Sequence, residues 1–132
     1  MDVYGDVAPR LAMLGYLVKA EDEPAIGYLT GKCRAELLAS IHHKELPAGL
    51  YHTLVDMVAG SFLQGKLAAG ALEIEGLDFS PAMKSITEGD VSITAAGASE
   101  GTPTPEARFV ALLDRMAHPP ERILGAYRRL KW

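Results

Sequence analysis

The clearest helical period in the chain runs from Pro47 to Gly70. Leu50, Leu54, Val58 and Phe62 recur there every four residues, and Tyr51, Val55, Met57, Leu63 and Leu67 widen the stripe beyond one face. Asp56 is the only formal charge between Pro47 and Gly65. A helix with so little polar surface has to be covered on most sides by neighbouring helices or by a partner subunit, so it is expected to be the central helix. With His52, Asp56, Gln64 and glycines breaking it, the run falls short of the about 20 apolar residues that cross a bilayer. No membrane association is expected.

Two amphipathic stretches precede it. Residues 1–20 carry Val7, Leu11, Leu14, Leu17 and Val18 among Asp6, Pro9 and Arg10, which predicts a short helix interrupted near Gly15. Glu21-Asp22-Glu23-Pro24 suits a first helical turn, where unpaired amides favour negative charge. Ile26, Leu29, Cys33, Leu37 and Ile41 follow at three-to-four spacing, with Lys32, Arg34 and Glu36 turned away. On this helix Gly27 and Gly31 lie four apart, where another backbone could come close. Leu46-Pro47-Ala48-Gly49 then breaks the period, predicting an antiparallel pair with the central helix.

Beyond Gly70 the period fades. Ser85-Ile86-Thr87 and the alternating Val91-Ser92-Ile93-Thr94 predict a β-hairpin or extended excursion, and Gly97 to Pro105 has loop composition. Thr104-Pro105-Glu106 caps a further helix with Phe109, Leu112, Leu113 and Met116 on its apolar side. His118-Pro119-Pro120 stops it and opens a last helical piece with Ile123, Leu124 and Tyr127 on one side. The expected fold is mainly α: one domain, a small bundle of about four to five helices, with an N-terminal segment over 1–20. The hairpin or loop excursion occupies 71–105, between the central and C-terminal helices, and a docking helix and tail occupy 119–132.

Composition narrows the function. The chain has 132 residues, 48% of them hydrophobic and 23% charged, which suits one globular domain. Cys33 is the single cysteine, so neither a disulfide framework nor a cysteine-based zinc site is expected. Asp2 and Asp6 precede the first apolar run in place of the basic start of a secretory signal, and synthesis in the cytoplasm is expected. The net charge of −4 is unevenly spread. Glu73, Glu75, Asp78, Glu88, Asp90 and Glu100 face Lys84 alone between 71 and 100, whereas Arg108, Arg115, Arg122, Arg128, Arg129 and Lys131 outnumber the acids of 105–132. Opposite-sign regions of this kind suit solvated surfaces or head-to-tail contacts between copies.

Catalytic patterns do not assemble. Gly97-Ala98-Ser99-Glu100-Gly101 matches G-x-S-x-G in letters, but the chain is too short for the α/β sheet over which that serine must sit. Gly31-Lys32 lacks the glycine and the hydroxyl residue of a phosphate-binding loop. His42 and His43 are adjacent, about 100° apart on a helix, so they cannot chelate one metal as an i, i+4 pair would. Cys33 falls on an apolar stripe and reads as a small buried hydrophobe. No catalytic, cofactor-binding or metal-binding residue is expected, and the protein is not expected to be an enzyme. The ending Tyr127-Arg128-Arg129-Leu130-Lys131-Trp132 could neutralise phosphates and stack on bases, which leaves a small helical DNA-binding regulator as the alternative. Trp and Arg are equally the residues of a protein-docking hot spot.

Four features in order resemble the head–tail connector, or adaptor, proteins of tailed bacteriophages. They are the acid-led helix from Glu21 to Ser40, the Pro-started second helix ending near Gly65, the Ile86-Thr87-Glu88-Gly89-Asp90-Val91-Ser92-Ile93 stretch, and the closing helix from Ile123 to Trp132. The third is similar to the family's S-x-G-D-V-S stretch and the fourth to its L-x-x-Y-R-R-x-x-W ending. The resemblance covers about residues 20–132. It implies a structural virion subunit that forms a ring, commonly of twelve copies, under the portal protein. There it would extend the DNA channel and receive the next head-completion or tail protein, with genomic DNA passing through without sequence-specific binding. On that footing, Tyr127, Arg128, Arg129, Leu130, Lys131 and Trp132 are expected to dock on the portal. Glu73, Glu75, Asp78, Glu88 and Asp90 are expected to lie towards the channel or tail side, where negative charge repels phosphates.

Overall fold

The structure is a computed structural model, and it describes residues 3–79 and 104–128. The elements are α1 (Val3–Met13), α2 (Glu23–Ile41), α3 (Tyr51–Ala68), α4 (Pro105–Ala117) and α5 (Glu121–Tyr127), with single 3₁₀ turns at Ala20–Asp22 and Ala48–Leu50. The mainly α bundle expected from the hydrophobic period is what forms.

α3 is the hub. Leu54, Val58, Ala59 and Leu63 are fully buried, and Tyr51, Val55, Met57, Phe62 and Leu67 nearly so. The covering that its composition demands comes from α1, α2 and α4, all of which pack on it. Each large aliphatic side chain buried this way contributes roughly 1.5–3 kcal/mol relative to exposure. The lone charge of the stripe, Asp56, accepts a hydrogen bond from Arg10 Nε of α1 at 2.8 Å. The Tyr51 hydroxyl donates to Asp6, and the Tyr16 ring meets the Phe62 ring edge-on at 5.6 Å. These pairs advance together along both segments, so α1 runs parallel to α3. α2 runs antiparallel, since its start, at Asp22, pairs with Lys66 near the end of α3, and Cys33 meets Ser61 midway.

The helix boundaries follow local chemistry. α1 ends where Gly15 takes φ +97°, and the Tyr16 N–H donates to Leu11 O at 2.9 Å. α2 ends at His42, a non-glycine residue in the left-handed region (φ 59°, ψ 41°) whose N–H donates to Leu38 O. α3 ends with Gly70 at φ +74°. The α4 cap expected at Thr104 is present: its side-chain oxygen accepts the Ala107 N–H at 3.1 Å, with Pro105 at the first helical position.

The glycines expected to admit a close neighbour are not the ones the chain uses. A Cβ at Gly27 or Gly31 meets nothing within 4 Å, whereas one at Gly60 would lie 2.8 Å from Leu113 O and 2.9 Å from Ala117 N. The tightest seam of the bundle is therefore α3 on α4. Residues 71–79 are irregular, with Leu72, Ile74 and Phe79 buried and a turn at Gly76. No strand occurs among the described residues. The Ser85–Thr87 and Val91–Thr94 pieces of the expected hairpin lie outside them.

Candidate docking site at the C-terminal helix

α5 is short, and Pro119 and Pro120 fix its start. Leu124 is its buried contact, and Ile123 and Tyr127 are half-buried. Two polar tethers hold its end to a part of the chain far away in sequence. The His43 ring nitrogen Nε2 donates to Tyr127 O at 2.6 Å, and Arg128 Nε donates to Ser40 O at 3.0 Å. Arg128 also pairs with Glu121 one helix length back. That pairing holds the Glu121 carboxyl below its ordinary range and lifts the Arg128 guanidinium further. The Tyr127 ring lies over Gly49, where a Cβ would collide with its hydroxyl. Ser40 belongs to the last turn of α2, His43 to the connection just after it, and Gly49 to the turn before α3. The α2–α3 connection is thus the seat of α5. Beside it runs an open groove of about 340 Å³ lined by Val3, Arg34, Glu45, Leu46, Pro47, Ala48 and Tyr51.

Tyr127 and Arg128 therefore engage their own chain. Arg129, Leu130, Lys131 and Trp132 lie outside the described residues, as do Glu88 and Asp90. In the acidic segment Glu73, Glu75 and Asp78 are all exposed. The Asp78 N–H donates to the Glu106 carboxylate at 3.0 Å, which ties the segment to the start of α4, and the Phe79 and Phe109 rings lie 5.7 Å apart beside it. Glu106, expected only as a cap residue, thus also fastens the excursion.

A second polar cluster escaped the sequence reading. Asp22, 3% exposed, accepts hydrogen bonds from the Tyr16 hydroxyl at 2.7 Å and the Lys19 N–H at 3.0 Å, and Lys66 Nζ lies 3.1 Å away. Burial alone would raise its carboxyl, but those three donors outweigh it and hold the group below its usual value of 3.8. In turn the Asp22 hydrogen bond raises Lys66, and burial followed by the same carboxylate raises Tyr16. Through these contacts the cluster joins the α1–α2 link to the end of α3. Nothing in it is poised to react.

Cys33 is buried, which pushes its thiol up and away from reactivity, with Ser61 only partly opposing. His118 Nδ1 pairs with Asp114 one turn back, and His52 is exposed beside the Tyr51 ring. No group of three potential metal ligands occurs among the described residues, and no described helix is long and apolar enough to cross a membrane. Neither a known protein family, nor a curated protein, nor a solved structure matches the chain.

Proposed function

We propose that the chain is a head–tail connector subunit of a tailed bacteriophage: a structural virion protein that assembles as a ring under the portal and passes the genome to the tail. The observation that carries the reading is the anchoring of α5. Its end is fixed by His43, Ser40 and Gly49 to the α2–α3 connection, so the sequence ending most like the family's begins from a defined place on the bundle. The order of the sequence stretches that resemble the family, set on a mainly helical bundle, supports it further. Within this reading Tyr127 and Arg128 position the tail, and Arg129, Leu130, Lys131 and Trp132 make the contact with the portal, where Trp and Arg supply hot-spot energy. The exposed Glu73, Glu75 and Asp78, continuing to Glu88 and Asp90, belong on the channel or tail side and keep DNA from sticking.

The test is co-sedimentation with portal rings. A chain ending at Arg128 should keep its heat stability and lose portal binding, and Trp132→Ala should weaken binding about tenfold or more. Undiminished binding by the shortened chain would remove the assigned contact. Duplex DNA should not be retained by the assembled ring at physiological salt, and tight retention would contradict the role given to the acidic segment.

A further inference from the structure

The connection that seats α5 is hollowed along its length. A concavity of about 460 Å³ borders it from His43 to Pro47, and the groove of about 340 Å³ adjoins that one, sharing Glu45, Leu46 and Pro47. The groove has an apolar lining of Val3, Leu46, Pro47, Ala48 and Tyr51, with Arg34 of α2 beside it. Arg34 and Ala48 are exposed. α5 delivers the chain to one end of this path: His43 holds the Tyr127 carbonyl, and Arg128 leaves in extended backbone, φ −69° and ψ 132°. Glu45, where the groove begins, is two residues from His43 and so at most about 8 Å from it. Arg129, Leu130, Lys131 and Trp132 follow Arg128, and four extended residues reach about 13 Å.

We propose that in the free subunit Leu130 and Trp132 sit in the groove of their own chain, and that the portal contact is withheld until they leave it. Residues two apart share a face in an extended strand, so Leu130 and Trp132 turn together into the apolar lining while Arg129 and Lys131 turn to water. Arg34 offers its guanidinium to the indole face, and Trp is the ring that takes a cation best. The contacts of Tyr127 and Arg128 with His43, Ser40 and Gly49 already hold the start of the tail beside the groove, so seating it costs less ordering than capturing a free peptide. The groove is open and the tail has to leave it for the portal, so its occupancy is modest and the fold does not depend on it. The withholding rests on the connector reading, and the seat does not.

Trp132 is the only tryptophan of the chain, so its fluorescence reads the seat with no portal present. In the full chain its emission should lie to the blue of that of the free peptide Arg128 to Trp132, and acrylamide should quench it less. Ala48→Lys puts a long basic side chain into the groove, and Arg34→Ala removes the guanidinium while favouring the helix. Both positions are exposed, so both variants should fold as the wild type does, and both should move the emission to the red. In co-sedimentation Ala48→Lys should bind portal rings about threefold tighter or more, because a larger fraction of subunits is then competent. Emission and quenching equal to the peptide's overturn the proposal, and they are the result if another part of the chain fills the groove. So does protection that survives both variants, or protection that grows with protein concentration, which would put the tail on another copy. Portal binding that Ala48→Lys fails to tighten overturns the withholding. Portal rings that bind neither form overturn the connector reading and the withholding with it, while the fluorescence still decides the seat.

Discussion

Replacing Gly60 with alanine sets two effects of known size against each other. Alanine in a helix interior is favoured over glycine by about 1 kcal/mol, so by propensity alone the protein would gain stability. At this position, however, the new methyl would lie 2.8 Å from Leu113 O, 2.9 Å from Ala117 N and 2.9 Å from Met116 Cβ. Two of those neighbours are backbone atoms of α4, which cannot turn aside as a side-chain tip could. Relief requires α3 and α4 to separate by several tenths of an ångström along the tightest seam of the bundle, with Leu113 and Met116 losing contact on both sides. Overpacking of this kind costs about 1–3 kcal/mol, and the methyl's clash with backbone puts the cost at the upper end. The net expectation is a loss of about 1–2 kcal/mol, or a fall in melting temperature of roughly 3–8 °C for a chain of this size. Gly65, five residues on in the same helix, is the control: a Cβ there meets nothing within 4 Å. Gly65→Ala should therefore raise the melting temperature by roughly 2–5 °C. Thermal unfolding followed by circular dichroism reads both. If Gly60→Ala proves as stable as Gly65→Ala, the close approach of α3 and α4 is not a constraint and the packing argument is wrong.

Three further outcomes follow from the same geometry. Asp22 holds a depressed carboxyl, so its contribution is complete above about pH 5 and is lost as pH falls through its usual value of 3.8 towards the folded one. The melting-temperature gap between wild type and Asp22→Asn should then be steady from pH 7 to 5 and narrow below 4, and a gap independent of pH would contradict the ionised pair. His42→Gly should add about 0.5–1 kcal/mol in urea unfolding, because glycine takes φ 59° without the side-chain penalty, and a loss would show that the His42 side chain is needed there. Gly49→Ala should drive the Tyr127 ring off its seat and speed amide exchange in α5 with little change in α3, and unchanged exchange would mean that the ring is not what holds α5.

What could be read from the letters was local. The 3.6-residue period located α2 and α3, the Thr104-Pro105 cap located the start of α4, and the near absence of charge in α3 announced a central position. The helical bundle followed from these alone. What the period could not supply was pairing at long separation. Lys66 lies 44 positions beyond Asp22, and Tyr127 lies 84 beyond His43, so neither partner is visible as a motif. Glycine spacing misled for a related reason. Gly27 and Gly31 sit at a regular interval on an exposed face, while the contact that needs a missing side chain falls at Gly60, which has no such partner in sequence. Of the residues expected to dock, Tyr127 and Arg128 meet Gly49 and Ser40 of their own chain, ordinary loop and helix-end residues that form no motif because the contact depends on where α5 folds back.

The proposed role is tested most directly by electron microscopy of the purified chain mixed with portal rings of the bacteriophage to which that role would assign it. The account predicts a ring of copies stacked on one face of the portal, coaxial with its channel, with the C-terminal helix of each copy at the junction. Portal rings that stay bare when the chain is in large excess would contradict it.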